Sequence, residues 1–224
     1  MSFFKRITGG DKAATPTAAD PLLDSGVTHL ENGEYPEAAK NFQGVLAKDP
    51  GYGSFEELDA RIRQCSQKKG KLELPLSTRK AVLGLGIIHA MNHDFRSAED
   101  YILDATYSSQ DAGLLLIAGK YYLGIPDAEL STAFAYFQMA VEQQPEILGT
   151  CDELVQTFVK GRGVFYPAAS LKPYLGLWDT TKEKLSKKAK GSAAGAGVDE
   201  FTARMLQVLE VLDIVGKNQL KKMF

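Results

Sequence analysis

Cysteine, excess charge of either sign and long apolar runs are all scarce in this 224-residue chain. Its two cysteines, Cys65 and Cys151, have no paired spacing, which argues against a zinc ribbon or a redox dithiol and fits a reducing compartment. No run of 18 apolar residues occurs, so no segment reads as a membrane-spanning helix. Residues 1–7 lead into Thr8, Gly9 and Gly10 rather than an apolar stretch, so they do not read as a secretory signal. The formal net charge is -2 and the isoelectric point is near 6.0, which gives no general attraction to nucleic acid or anionic membrane. A phosphate loop, GxSxG and HExxH are also missing. The chain therefore reads as a cytoplasmic non-enzyme with no catalytic residues, no metal and no cofactor.

What the chain does contain is a pattern that occurs twice. Leu22, Gly26, Ala38, Phe42 and Pro50 recur at the same spacing as Val82, Gly86, Ala98, Ile102 and Gln110. From glycine to alanine is 12 residues in both sets, and from alanine to the last position is 12 again. Such spacing is that of a repeated helix–turn–helix unit. Apolar periodicity predicts helices over residues 22–31 and 35–48, with Gly33 closing the first and Asp49-Pro50-Gly51 stopping the second. Gly26 and Ala38 lack bulk where the paired helices cross, and Phe42 fills the gap toward the next helix.

The first unit, with Ser25-Gly26, Gly33-x-Tyr35, Ala38-x3-Phe42 and Asp49-Pro50, resembles a tetratricopeptide repeat. A second match covers residues 79–110. A third covers residues 115–145, with Gly119, Tyr122, Ala133, Phe137 and Ala140, and a glycine-to-alanine distance of 14. The longer loop at residues 122–127 resembles the related Sel1-like repeat, as does the turn Lys160-Gly161-Arg162-Gly163-Val164. A fourth unit begins near Ile147, and its second helix, residues 168–178, reads as broken by Pro173. The resemblance implies an all-α fold: a right-handed α-α superhelix of TPR/Sel1-like helical hairpins.

Two segments stand outside the repeats. Ser54-x-x-Glu57 is a capping box, and Phe55, Leu58, Ile62 and Cys65 share one helical face. Gly70 ends this inserted helix and residues 71–76 form a link, so the first unit need not stack directly on the second. Near the C-terminus, Phe201, Met205, Val208, Leu212 and Val215 form an amphipathic stripe at spacings of 4, 3, 4 and 3. The organisation read from these features is a flexible leader over 1–20, a repeat domain over 21–179, a basic Gly/Ala linker over 180–198 and a C-terminal amphipathic helix over 199–224. That last helix is expected to dock on the repeats or cap them.

Candidate chemistry is sparse. His89 and His93, with Asp94 beside them, have a spacing that can hold a metal, but His89 also occupies the repeat position of His29, where packing alone accounts for it. Gly84-x-Gly86 lies inside a helical pattern, which argues against a nucleotide loop. The lysines from 182 to 190 lack interleaved aromatics and read as a solvated linker. Phe3 and Phe4 beside Lys5 and Arg6 are either a frayed terminus or a contact with a membrane surface or partner.

In the tetratricopeptide family the first helix of each pair lines a concave groove. Carried onto this chain, the resemblance implies groove positions Leu23, Val27 and Leu30; Leu83, Ile87 and Met91; and Leu116, Lys120 and Leu123. The positions that hold a carboxylate clamp in some members carry Leu23, Val27, Gly84 and Ile117, so that clamp is absent. The resulting reading is an interaction scaffold or adaptor, a co-chaperone among the options, whose apolar groove takes an amphipathic or apolar segment of another protein. The alternative is an assembly subunit that self-associates through its C-terminal helix or N-terminal segment.

Overall fold

The computed structural model describes residues 20–49, 51–67, 74–125, 129–162, 166, 168–189 and 197–223. The described residues are helical, with no strand among them. The helices are α1 (Pro21–Glu31), α2 (Tyr35–Leu46), α3 (Phe55–Gln67), α4 (Leu76–Met91), α5 (Phe95–Thr106), α6 (Ala112–Gly124), α7 (Leu130–Gln143), α8 (Leu148–Gly161), α9 (Ala168–Ala189) and α10 (Glu200–Met223). A short 3₁₀ turn, Pro145–Ile147, precedes α8. The leader, the link after Gln67, part of the loop between α6 and α7, and the Gly/Ala stretch before α10 lie outside the described residues.

Chain contacts divide the molecule into two compact units, one ending at Ser109 and the other containing the residues from Gln110 onward. In the first unit, α1 pairs with α2 and α4 pairs with α5. Asp20 caps α1 by accepting from the Leu22 amide at 2.9 Å, and Asp94 caps α5 by accepting from Ser97 at 3.2 Å. Gly33 turns the chain between α1 and α2 with φ +76°, and His93 adopts φ +63° at the corresponding turn between α4 and α5. That left-handed backbone suits glycine and strains a histidine.

One crossing contact recurs in three hairpins. A methyl group at Gly26 would overlap the Phe42 ring, one at Gly86 would meet Ile102 and the Ala98 carbonyl, and one at Gly119 would overlap Phe137. Each glycine lets the partner helix lay a large side chain against bare backbone. Phe42 also lies against Gly84, so its fully buried ring sits between α1 and α4. Gly84 is thus a packing residue. The inserted helix left it open whether the first two hairpins stack directly, and they do: α2 packs on α4, and the Thr78 hydroxyl donates to Asp49 at 2.8 Å. The inserted helix α3 lies instead against α5, with Ser54 capping it by accepting from the Glu57 amide.

In the second unit, α6 pairs with α7, and α9 packs on α7 through Trp178, which lies between Phe134 and Phe137. Helix α9 runs unbroken through Pro173 and the following lysines to Ala189. Pro173 does not break it because it lies near the start, where only one backbone bond is forfeited, and lysines are good helix formers. Residues 180–189, assigned to the linker although their lysines could also continue the helix, are the last turns of α9. The Asp152 carboxylate ties this region to α8 by accepting from Trp178 Nε1 at 3.1 Å and Lys182 Nζ at 3.0 Å.

Candidate functional site

The most completely enclosed element is α6: every residue from Leu114 to Gly124 is buried, so this helix has no solvent face. Asp111 starts it by accepting from the Leu114 amide at 2.8 Å. One side of α6 receives α7, with Gly119 against Phe137 and Tyr122 stacked on Tyr136 at 5.6 Å. The other receives α10. Gly113 meets Thr202 so closely that a Cβ would overlap its hydroxyl. Gly113, Leu116, Lys120 and Leu123 follow spacings of 3, 4 and 3, so this contact puts α10 on the face that carries the three groove positions of the third unit.

Helix α10 is built for that seat. Asp199 caps it by accepting from the Thr202 amide at 2.8 Å. Met205, Leu206, Leu209 and Leu212 are at most 1 % exposed, with Ala203 and Val208 nearly so, while Val211 and Ile214 on the outer side are more than half exposed. Burial of these large side chains contributes on the order of 8–12 kcal/mol before the cost of ordering the helix. An amphipathic helix of the chain thus covers an apolar helix face in cis.

The nine groove positions are not an open surface. Val27, Leu30, Leu83, Ile87, Leu116, Lys120 and Leu123 are at most 4 % exposed, and only Leu23 and Met91 are half-buried. The cause is visible in α4, where residues 81–88 are all buried, so neither side of that helix faces solvent. Glutamate at Leu83 or Ile87 would bury an unpaired charge and unfold the hairpin.

The other candidates resolve into packing and capping. His89 Nδ1 lies 3.0 Å from Asp94 and its ring stacks on Tyr101, while His29 Nδ1 lies 2.5 Å from Glu34 at the matching place in the first hairpin. His93 instead forms the turn and meets Phe95 edge-on, so the two histidines do not converge. No metal-holding group of three or more His, Cys, Asp or Glu occurs among the described residues. Cys151 is fully buried, which pushes its thiol well above the usual range and makes it inert. Phe3 and Phe4 lie outside the described residues.

Two buried arginines were not singled out in the sequence. Arg79 Nη1 donates to the carbonyls of Ala105 and Tyr107, at 3.0 and 2.7 Å, where α5 ends. Arg162 donates to Leu123, Gly124 and Ile125, all at 2.7–2.9 Å, where α6 ends. Each guanidinium satisfies carbonyls that a helix leaves open and neutralises the negative end of its dipole. Arg79 shows in the sequence only as a charge beside a helical stretch and Arg162 only as part of the Sel1-like turn, because the acceptors stand 26 to 39 positions away.

The chain matches no protein-family model, no curated protein and no solved structure. Among the described residues no helix is long and apolar enough to cross a membrane.

Proposed function

We propose that this chain is a cytoplasmic protein–protein interaction scaffold of the tetratricopeptide/Sel1-like kind, acting as an adaptor without enzymatic chemistry. Its ligand is an amphipathic helix that lies on the first-helix face of a hairpin. The right-handed superhelical stacking of the hairpins is part of this proposal, and the close crossing contacts shared at Gly26, Gly86 and Gly119 support it. The observation that carries the functional reading is α10 on α6: a face of this scaffold already holds an amphipathic helix through a four-residue apolar stripe.

A second reading is an assembly subunit that associates through its C-terminal helix. The exposed Val211 and Ile214, one turn apart on the outer side of α10, favour it. One experiment separates the two. Leu209→Asp places a charge in the seat of α10 and frees the α6 face. A fluorescent peptide of residues 199–215 is then titrated against wild-type and Leu209→Asp chains, with helicity and size checked in parallel. The adaptor reading predicts micromolar binding to the variant and none to the wild type. A variant that keeps its helical signal but refuses the peptide refutes it. A wild type that grows in size with concentration, and loses that growth on Val211→Asp, supports the assembly subunit.

A further inference from the structure

Among the described residues seven large apolar side chains are more than a third exposed, and four of them fall in two pairs. Tyr174 and Leu177 stand one turn apart on α9, and Val211 and Ile214 one turn apart on α10, all but Tyr174 more than half exposed. The other three, Leu76, Leu103 and Met139, lie singly on separate helices, which is ordinary for a protein surface. Two at helical spacing make a stripe instead. Each pair stands off the stripe that its own helix buries: Leu171, Trp178 and Leu185 on α9, and Met205, Leu209 and Leu212 on α10. Helix α9 packs on α7 and α10 packs on α6, so the two pairs lie on different edges of the second unit.

The charges flanking the two pairs are opposite in sign. Beyond Leu177 the sequence of α9 carries four lysines against two acids, and the exposed Lys184 stands two turns past Leu177 on the same strip. Before Val211 the start of α10 carries Asp199, Glu200 and Glu210 against the single Arg204, while its three lysines come only from residue 217 onward. Laid antiparallel with the apolar pairs in register, the lysine-rich half of α9 runs along the acidic half of α10. Laid parallel, it would run along Lys217, Lys221 and Lys222, and like charges would oppose the contact. The two stripes are therefore complementary in one relative direction.

We propose that a second copy of this chain covers both pairs, with α9 of one copy lying antiparallel on α10 of the next. Tyr174 and Leu177 meet Val211 and Ile214, and the lysines beyond Leu177 follow the acidic start of α10. The inference rests on the assembly-subunit reading and names its contact. Because the two stripes differ and lie on different edges, the contact is heterologous: each copy keeps one stripe open for another, so copies add head to tail. A contact between two α10 helices would leave Tyr174 and Leu177 uncovered. Four large side chains make a small interface, so association is weak, with a Kd of about 10–300 μM.

Sedimentation velocity of the full chain from about 10 to about 500 μM tests this, with the helical signal of each variant measured in parallel. The mean mass of the wild type is expected to grow with concentration, and the growth to weaken as salt rises from about 50 to about 500 mM. Leu177→Asp and Val211→Asp, both at exposed positions, should each stay monomeric with unchanged helicity. An equimolar mixture of the two variants decides the geometry. The intact α10 stripe of the first meets the intact α9 stripe of the second, so the mixture forms a one-to-one dimer and grows no further. A mixture that stays monomeric while the wild type associates overturns the proposal. Association that Val211→Asp abolishes and Leu177→Asp leaves intact also overturns it, and leaves the assembly reading standing with α10 paired on itself. A wild type that is monomeric at every concentration overturns both.

Discussion

Replacing Asp104 with asparagine should stabilise the protein above neutral pH and leave it little changed near pH 4. The Asp104 carboxyl is pushed from its ordinary value of 3.8 to about 7 by burial first, then by the Asp59 and Asp100 carboxylates, with Arg63 opposing. Between those two values the unfolded chain ionises while the folded chain holds its proton, so the folded state binds more protons and stability falls as pH rises. The loss begins near pH 4 and is complete slightly above pH 7. A separation of three pH units corresponds to about 4 kcal/mol at most. Solvent screening along the acidic edge of α3 reduces this, and about 2 kcal/mol is expected. Asparagine carries no charge to desolvate and can donate to the neighbouring carboxylates. Urea unfolding followed by circular dichroism at pH 4, 6 and 8 should show the variant's advantage growing with pH. The melting temperature at pH 8 should rise by about 4–8 °C. Parallel pH profiles for wild type and Asp104→Asn would refute the reasoning, because the burial and repulsion invoked would then be missing.

Two further substitutions test the packing. Phe42→Ala removes a ring held between Gly26 and Gly84 and should cost about 3–5 kcal/mol by chemical denaturation; a loss below about 1 kcal/mol would mean the hairpins do not meet there. His93→Gly relieves a left-handed backbone at an exposed turn and should stabilise by about 0.5–1 kcal/mol, read as a higher urea midpoint, whereas a loss of stability would mean that the His93 ring contact with Phe95 outweighs the strain.

The helical hairpins are legible in the sequence because their determinants are local. Gly26, Ala38 and Phe42 are separated by one turn and two short helices, so a fixed spacing encodes one crossing contact. The caps Asp20, Asp94 and Asp111 act within three residues of themselves. The stripe of α10 is legible for the same reason, since periodicity needs no knowledge of the partner. What covers each helix is another matter. Residues 81–88 are apolar all round, which is the local sign that both sides of α4 are enclosed, but an apolar position taken singly on a repeat reads alike whether it lines a groove or a core. Asp104 looks like any acid on an amphipathic helix until α3 folds against α5. Arg79 and Arg162 find their carbonyl acceptors only once distant helix ends are in place. Pro173 misled in the opposite direction, because a helix breaker is harmless where few backbone bonds precede it.

The α6 face is a seat for an amphipathic helix. Cross-linking tests it most directly: a 199–215 peptide with a photoreactive group at the Thr202 position is added to the Leu209→Asp chain. The expected result is attachment of the group to residues around Gly113 on α6, with the product suppressed by unlabelled peptide. Attachment spread over the surface, or none despite an intact helical signal, would contradict it.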